Sequence, residues 1–281
     1  MILGVHISGV PRLYEAFDAA AALGCNTMQF FSRSPQRWRQ DKFLAAQDIA
    51  EFRKRGDSSG IRPVFIHIPY LINLASPNPR LYKASIEAYV EDILEAHALG
   101  ADYIVTHMGS HKDTTEIGGI HRLTRALNKI IDRTNNTPVG ILLENTSGSG
   151  SWLGYKFSHQ RKVIAGLRDK NRVGLCVDTA HAYLAGFDLA TQAGFDRLRG
   201  EIDKNVGLSQ VRLIHLNDVR GKLGSHQDRH EHIGRGGIGR AGIRRIINHP
   251  ALRELPFILE TPRDSVDADA INLKAVRDLR D

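Results

Sequence analysis

Eight short apolar or β-branched runs recur along the 281 residues, and their alternation with helical patterns constrains the fold more than any other feature. The runs are "ILGVHI" (2–7), "NTMQFF" (26–31), "PVFIHI" (63–68), "YIVTHM" (103–108), "VGILLEN" (139–145), "VGLCVD" (173–178), "VRLIHLN" (211–217) and "PFILE" (256–260). Between them, segments such as "RLYEAFDAAAALG", "LYKASIEAYVEDILEAHALG" and "IHRLTRALNKIIDRT" repeat apolar residues at three- and four-residue spacing, and several stop at glycine. Continuous apolar strands alternating with helices imply a parallel sheet covered on both faces. Eight such units in this length fit a closed (β/α)8 TIM barrel better than an open doubly wound sheet. No linker, low-complexity tract or short repeat divides the chain, so residues 1–281 read as one α/β domain.

In such a barrel the chemistry sits at the C-terminal ends of the strands, where the strand–helix loops converge. The third run ends near His67, the fourth near His107, the fifth at Glu144, the sixth at Asp178, the seventh at His215 and the eighth at Glu260. With 13 His and 31 Asp plus Glu in the chain, eight random positions would carry about one such residue, not six. A single His or acid at a strand end is ordinarily a hydrogen-bonded structural group, and Asp178 also suits the cap position before "TAHAYLAG". Six in one barrel mouth differ in kind, because crowded carboxylates and imidazoles repel or go unsatisfied without cations between them.

Two loop motifs extend the set. In "DTAH", Asp178 and His181 fall on one side of a first helical turn; in "DRH", Asp228 and His230 point the same way from an extended loop. Mixed imidazole and carboxylate ligands favour Zn2+, Mn2+ or Fe2+ over Ca2+ or Mg2+. Nine candidates exceed the needs of one ion. With bridging carboxylates they suffice for two or three, and clustered ions suit phosphodiester hydrolysis, one activating water while another receives the leaving oxygen.

Composition agrees with an anionic partner: 38 Lys and Arg against 31 Asp and Glu give a net charge of +7. The two cysteines, Cys25 and Cys176, sit in apolar surroundings and imply a reducing compartment. No secretory pattern opens the chain, and no apolar stretch approaches the ~18 residues that span a bilayer, so the expectation is a soluble, cytoplasmic protein with no membrane contact.

The segments "GVHIS", "YLINLASP", "THMGSH", "LLENTSGSG", "GLCVDTAHAYLAGFD", "IHLNDVRGKLGSHQDRHEHIGRGGIG" and "ILETP" occur in an order that resembles the endonuclease IV family of apurinic/apyrimidinic endonucleases over essentially the whole chain. That resemblance implies a monomeric TIM barrel with three zinc ions, Mn2+ or Fe2+ serving at some sites, acting on damaged double-stranded DNA. It implies that His67, His107 and Glu144 hold the first ion, and that Glu144 bridges to a second held also by Asp178, His215 and Glu260. His181, Asp228 and His230 would hold the third. The family cuts the phosphodiester 5′ to an abasic site, leaves a 3′-hydroxyl and removes 3′-blocking groups. Glu144 and Glu260 would be catalytic, orienting the attacking hydroxide.

For DNA recognition, the resemblance implies that Tyr70 and Leu71 of "YLINLASP" form the wedge and stacking pair at the lesion. It also implies that Arg37 and Trp38 of "SRSPQRWRQ" contact the minor groove, although Gln36 stands where the family usually has Arg. Met108 replaces a usual Pro, Ser149 a frequent Gln, and "SGVPRL" departs from a Gly-rich turn; none is a proposed ligand. His6 reads either as support for a ligand or as a satisfied core histidine; His111, His121, His226, His232 and His249 read as surface or supporting groups. The basic residues of "VRGK" and "IGRGGIGR" are candidate phosphate contacts. Two alternatives compete: a divalent-metal sugar isomerase or epimerase, which normally needs one or two ions, and a barrel that binds damaged DNA without cutting it.

Overall fold

A computed structural model describes residues 1–31, 33 and 44–281 of the chain. Strand and helix alternate from the start: β1 (Ile2–Ile7), α1 (Ala16–Ala22), β2 (Met28–Phe30), α2 (Ala46–Ser59), β3 (Val64–His67), α3 (Pro79–Leu99), β4 (Tyr103–His107), α4 (Glu116–Arg133), β5 (Gly140–Glu144) and α5 (Phe157–Ala165). The second half continues with β6 (Val173–Asp178), α6 (Thr179–Leu184), α7 (Gln192–Asn205), β7 (Val211–His215), β8 (Asp218–Val219), β9 (His230–Glu231), α8 (Gly239–Asn248), β10 (Pro256–Leu259) and α9 (Ala268–Arg277).

Among the described residues, eight parallel strands close into one barrel in the order β1, β10, β7, β6, β5, β4, β3, β2, as the sequence pattern implies. β8 and β9 lie outside it as a small antiparallel ribbon that pairs Val219 with His230. Neither this ribbon nor the six-residue α6 was legible as an apolar run, because both are short pieces of loop held by neighbours rather than by periodicity. β2 is also shorter than its run, and Glu260 falls just past the end of β10.

The helices form where the chain supplies both a stripe and its ends. α3 starts at Asn78, whose side chain accepts hydrogen bonds from the N–H groups of Arg80 and Leu81, with Pro79 preset at the first helical position. It stops at Gly100, whose φ of +74° is left-handed and costs glycine little. In α4, Ile120, Leu123, Leu127, Ile130 and Ile131 make the three- and four-residue stripe, and all are buried against the barrel. Each such side chain removed from water contributes roughly 1.5–3 kcal/mol. No described helix is long and apolar enough to cross a membrane.

Candidate metal centre

Side chains on a strand alternate between the barrel interior and the helix layer. Phe65, Val105, Leu142, Cys176, Leu213 and Ile258 point inward and pack into one internal cluster. Two residues further along each strand, on the same inward face, stand His67, His107, Glu144, Asp178, His215 and Glu260. The apolar layer plugs the barrel, and the polar layer caps it at the C-terminal mouth. β1 and β2 complete the ring with His6 and Gln29, which pair in register. His6 was open to two readings from the sequence, and Gln29 was missed; its signal was a lone amide at an inward position of "NTMQFF".

Glu144 is the hub. It is fully buried; its Oε2 lies 3.2 Å from His67 Nε2 and 3.1 Å from His107 Nε2, and its Oε1 lies 3.1 Å from His215 Nδ1. His215 Nδ1 is also 3.3 Å from Glu260 Oε2. Donor atoms of His67, His107 and Glu144 converge within 4.8 Å of one another; so do those of Glu144, Asp178, His215 and Glu260, and those of Asp178, His181 and His230. Asp228 closes the third group from outside: Oδ2 is 3.1 Å from His181 Nε2, and Oδ1 is 3.5 Å from His230 Nε2. Asp178 therefore borders two of the groups, and it also caps α6 by accepting the His181 N–H at 2.7 Å. The capping role and the ligand role coexist, since its Oδ2 faces away toward Asn217 and His230.

Backbone carbonyls fix the imidazoles. A carbonyl can only accept, so the Nδ1–H groups of His67, His181 and His230 must donate to Ile68 O, Asn145 O and Glu260 O, at 2.8, 2.9 and 2.8 Å. Nε2 of each ring is thereby the nitrogen turned toward the cluster, as in metal-binding histidines. His230 Nε2 is buried and makes no hydrogen bond among the described residues, yet it faces Asp178 Oδ2 at 3.8 Å and Asp228 Oδ1 at 3.5 Å. A lone pair aimed at two carboxylates is repulsive unless a proton or cation lies between them. The donor set therefore fits divalent ions.

The charges show the same tension. Burial alone would push the Glu144 carboxyl up, but the imidazoles of His107 and His215 hold it well below the usual carboxylate range. Burial is likewise overcome at Glu260, which His215 and His6 hold well below that range. Burial would lower His181 and His215, yet both are held well above the ordinary 6.5: His181 by Asp178, Asp228 and Glu144, and His215 by Cys176, Glu260 and Glu144. Without metal, protons occupy places that cations would take. Cys176 lies one layer below, its sulfur within 4.8 Å of donor atoms of Glu144 and His215, and burial pushes its thiol up to about 12.

Asp218 is a further residue that sequence reading passed over. Its buried carboxylate accepts N–H groups from Val219, Gly234, Gly236 and Ile238 at 2.8–3.0 Å, folding "IGRGGIG" around one side chain. A Cβ at Gly236 would lie 2.4 Å from Val219 O, so only glycine fits there. This knot fixes the C-terminal side of the ribbon that carries His230.

Beside the cluster, a cavity of about 220 Å3 is lined by His6, Phe31, Tyr70, His230, Glu260, Thr261 and Arg263. Tyr70 is 61% exposed and meets Phe31 edge-on at 5.5 Å, so its ring stands on the rim, with Leu71 half-buried beside it. Arg37, Trp38 and Gln36 lie outside the described residues. Of the remaining histidines, His226 contacts Ser147 O, and His232 is held by Asp264 and Asn272. A larger cavity, about 600 Å3, opens at the opposite end of the barrel among Arg53, Tyr103 and Arg212.

Comparison with known proteins places these residues in context. A family described as "Xylose isomerase-like TIM barrel" matches residues 17–281. The chain is 41% identical over 279 residues to "Probable endonuclease 4" of Methanoculleus marisnigri, covering 99% of both chains. It is 39% identical to the protein of the same name from Methanosphaerula palustris, covering 99% of this chain and 97% of that one. Among solved structures, endonuclease IV from Thermus thermophilus superposes with a TM-score of 0.87 at 33% identity, covering 99% of this chain and 98% of that one. An L-ribulose 3-epimerase superposes with a TM-score of 0.71 at 17% identity, covering 98% of this chain and 92% of that one, a likeness of fold alone.

Proposed function

Because the chain belongs to the endonuclease IV family of apurinic/apyrimidinic endonucleases, we propose that it hydrolyses the phosphodiester 5′ to abasic sites in duplex DNA, leaving a 3′-hydroxyl, with three zinc ions. The same chemistry extends to removing 3′-blocking groups. The observation that carries this reading is Glu144, a buried carboxylate with one oxygen between two imidazoles and the other against a third. Such a group joins two cation sites into one.

In this reading His67, His107 and Glu144 would hold one ion; Glu144, Asp178, His215 and Glu260 a second; and His181, Asp228 and His230 a third, with Asp178 close enough to contribute there too. Bound divalent ions supply Lewis-acid chemistry, neutralising the phosphate and making water a stronger acid. The protein does the rest. Glu260, 20% exposed at the cavity wall, orients the attacking water with Glu144 behind it. Backbone carbonyls keep three imidazoles turned toward the cluster, so no reorganisation is needed when DNA arrives. Tyr70 and Leu71 take the place of the missing base, and the cavity beside Tyr70 accepts the extruded sugar. A damaged nucleotide unstacks at lower cost than a paired one, which gives selectivity before any bond breaks.

The test is a duplex carrying one abasic-site analogue, run beside the intact duplex with zinc-loaded protein and resolved on a denaturing gel. One nick 5′ to the lesion, ending in a 3′-hydroxyl, is the expected product. Absence of the nick at full metal occupancy would turn the barrel toward sugar isomerisation, although the third group, His181, Asp228 and His230, exceeds what one- or two-ion enzymes need.

A further inference from the structure

We propose that Gln29 is a positioning residue of the metal centre, its amide deciding which ring nitrogen of His215 and which oxygen of Glu260 face the ions; the inference rests on the ligand assignment above. Gln29 is fully buried at the inward position of β2. Its Oε1 lies 2.8 Å from His215 Nε2, its Nε2 lies 2.6 Å from Glu260 Oε1, and the same nitrogen lies 3.0 Å from His6 Nδ1.

These three contacts settle the amide's orientation. Were it reversed, its oxygen would press against Glu260 Oε1 with no proton between them. The amide must therefore donate to Glu260 and to His6 Nδ1, and its oxygen must accept from His215 Nε2–H. Nδ1 of His215 is thereby the nitrogen that faces Glu144 Oε1 and Glu260 Oε2, where a bound ion would replace its proton. Glu260 is left with Oε2 for the cluster, since Oε1 is engaged by the amide. His67, His181 and His230 present Nε2 because backbone carbonyls hold Nδ1. His215 presents the other nitrogen, and a side chain 186 residues away holds it. A carbonyl of the main chain survives any substitution; this amide does not.

Two measurements test the proposal without DNA. In zinc-loaded wild-type protein, long-range nitrogen–proton NMR should find the His215 proton on Nε2, exchanging slowly; a proton on Nδ1 overturns the proposal. In Gln29→Leu, chelator competition with Zn2+ should find the site served by His215 and Glu260 weakened about 10–100-fold, with the other zinc affinities retained. A folded Leu variant with all zinc affinities unchanged also overturns it, and if circular dichroism shows that variant unfolded, the wild-type NMR result decides. Wild-type protein that binds zinc but fails to nick abasic DNA removes the nuclease reading alone.

Discussion

His107 and Glu144 face each other in register on neighbouring strands, with 3.1 Å between Nε2 and Oε2. Parallel pairing sets that distance, so the two groups converge without any loop having to close. Replacing Glu144 with Gln keeps the shape but removes the charge that the proposed bridge would supply to two cation sites. The expected result is loss of at least two zinc ions per chain by elemental analysis, and a fall in nicking beyond the ~10–100-fold that a supporting residue costs. Full zinc content in Glu144→Gln would sink the bridging role.

Glu260 differs in being partly exposed to the cavity. Glu260→Gln should abolish cleavage while leaving the melting temperature of the metal-free protein within a few degrees, because Gln29 can still hydrogen-bond an amide oxygen there. Normal turnover by this variant would falsify its catalytic assignment.

Tyr70 stands on the rim with its ring edge-on to Phe31. Tyr70→Ala should weaken binding to abasic duplex by about 1–3 kcal/mol, the range for loss of one aromatic stacking partner, without changing zinc content. Equal weakening on intact duplex would show that the ring serves general adhesion rather than lesion recognition.

Zinc binding should release protons. His181 and His215 are held well above 6.5 in the metal-free protein and must give up protons to expose lone pairs, whereas Glu144 and Glu260 are already ionised. Apparent zinc affinity therefore rises with pH through the imidazole range. The metal-free protein behaves oppositely: stability from the raised histidines is fully present below about 6.5 and is lost as pH rises through their folded-state values. Titration calorimetry in two buffers of different ionisation enthalpy checks the first point, and thermal unfolding from about pH 6 to about pH 9 checks the second. No net proton release would contradict the arrangement.

Asp218 holds its loop by accepting the backbone N–H groups of Val219, Gly234, Gly236 and Ile238. Asp218→Ala should lower stability by roughly 2–4 kcal/mol, because several buried donors lose their acceptor together. Denaturant unfolding reads this directly, and a loss under about half a kcal/mol would show the glycine loop to be self-supporting.

The sequence by itself determined the barrel and most of the mouth. Period-two alternation forces the residue two places beyond Phe65, Val105, Leu142, Cys176, Leu213 or Ile258 onto the same inward face, so the strand-end positions could be read from local spacing alone. What only the tertiary structure decided is which atoms meet. Gln29 reaches His215 across 186 residues and Glu260 across 231; Asp178 both caps a helix and borders two candidate metal groups; Asp218 gathers a loop some 16–20 residues away. Local periodicity fixes the side of the strand a residue occupies, but hydrogen-bond partners at such separations are chosen by barrel closure and strand register, which no short stretch of chain encodes.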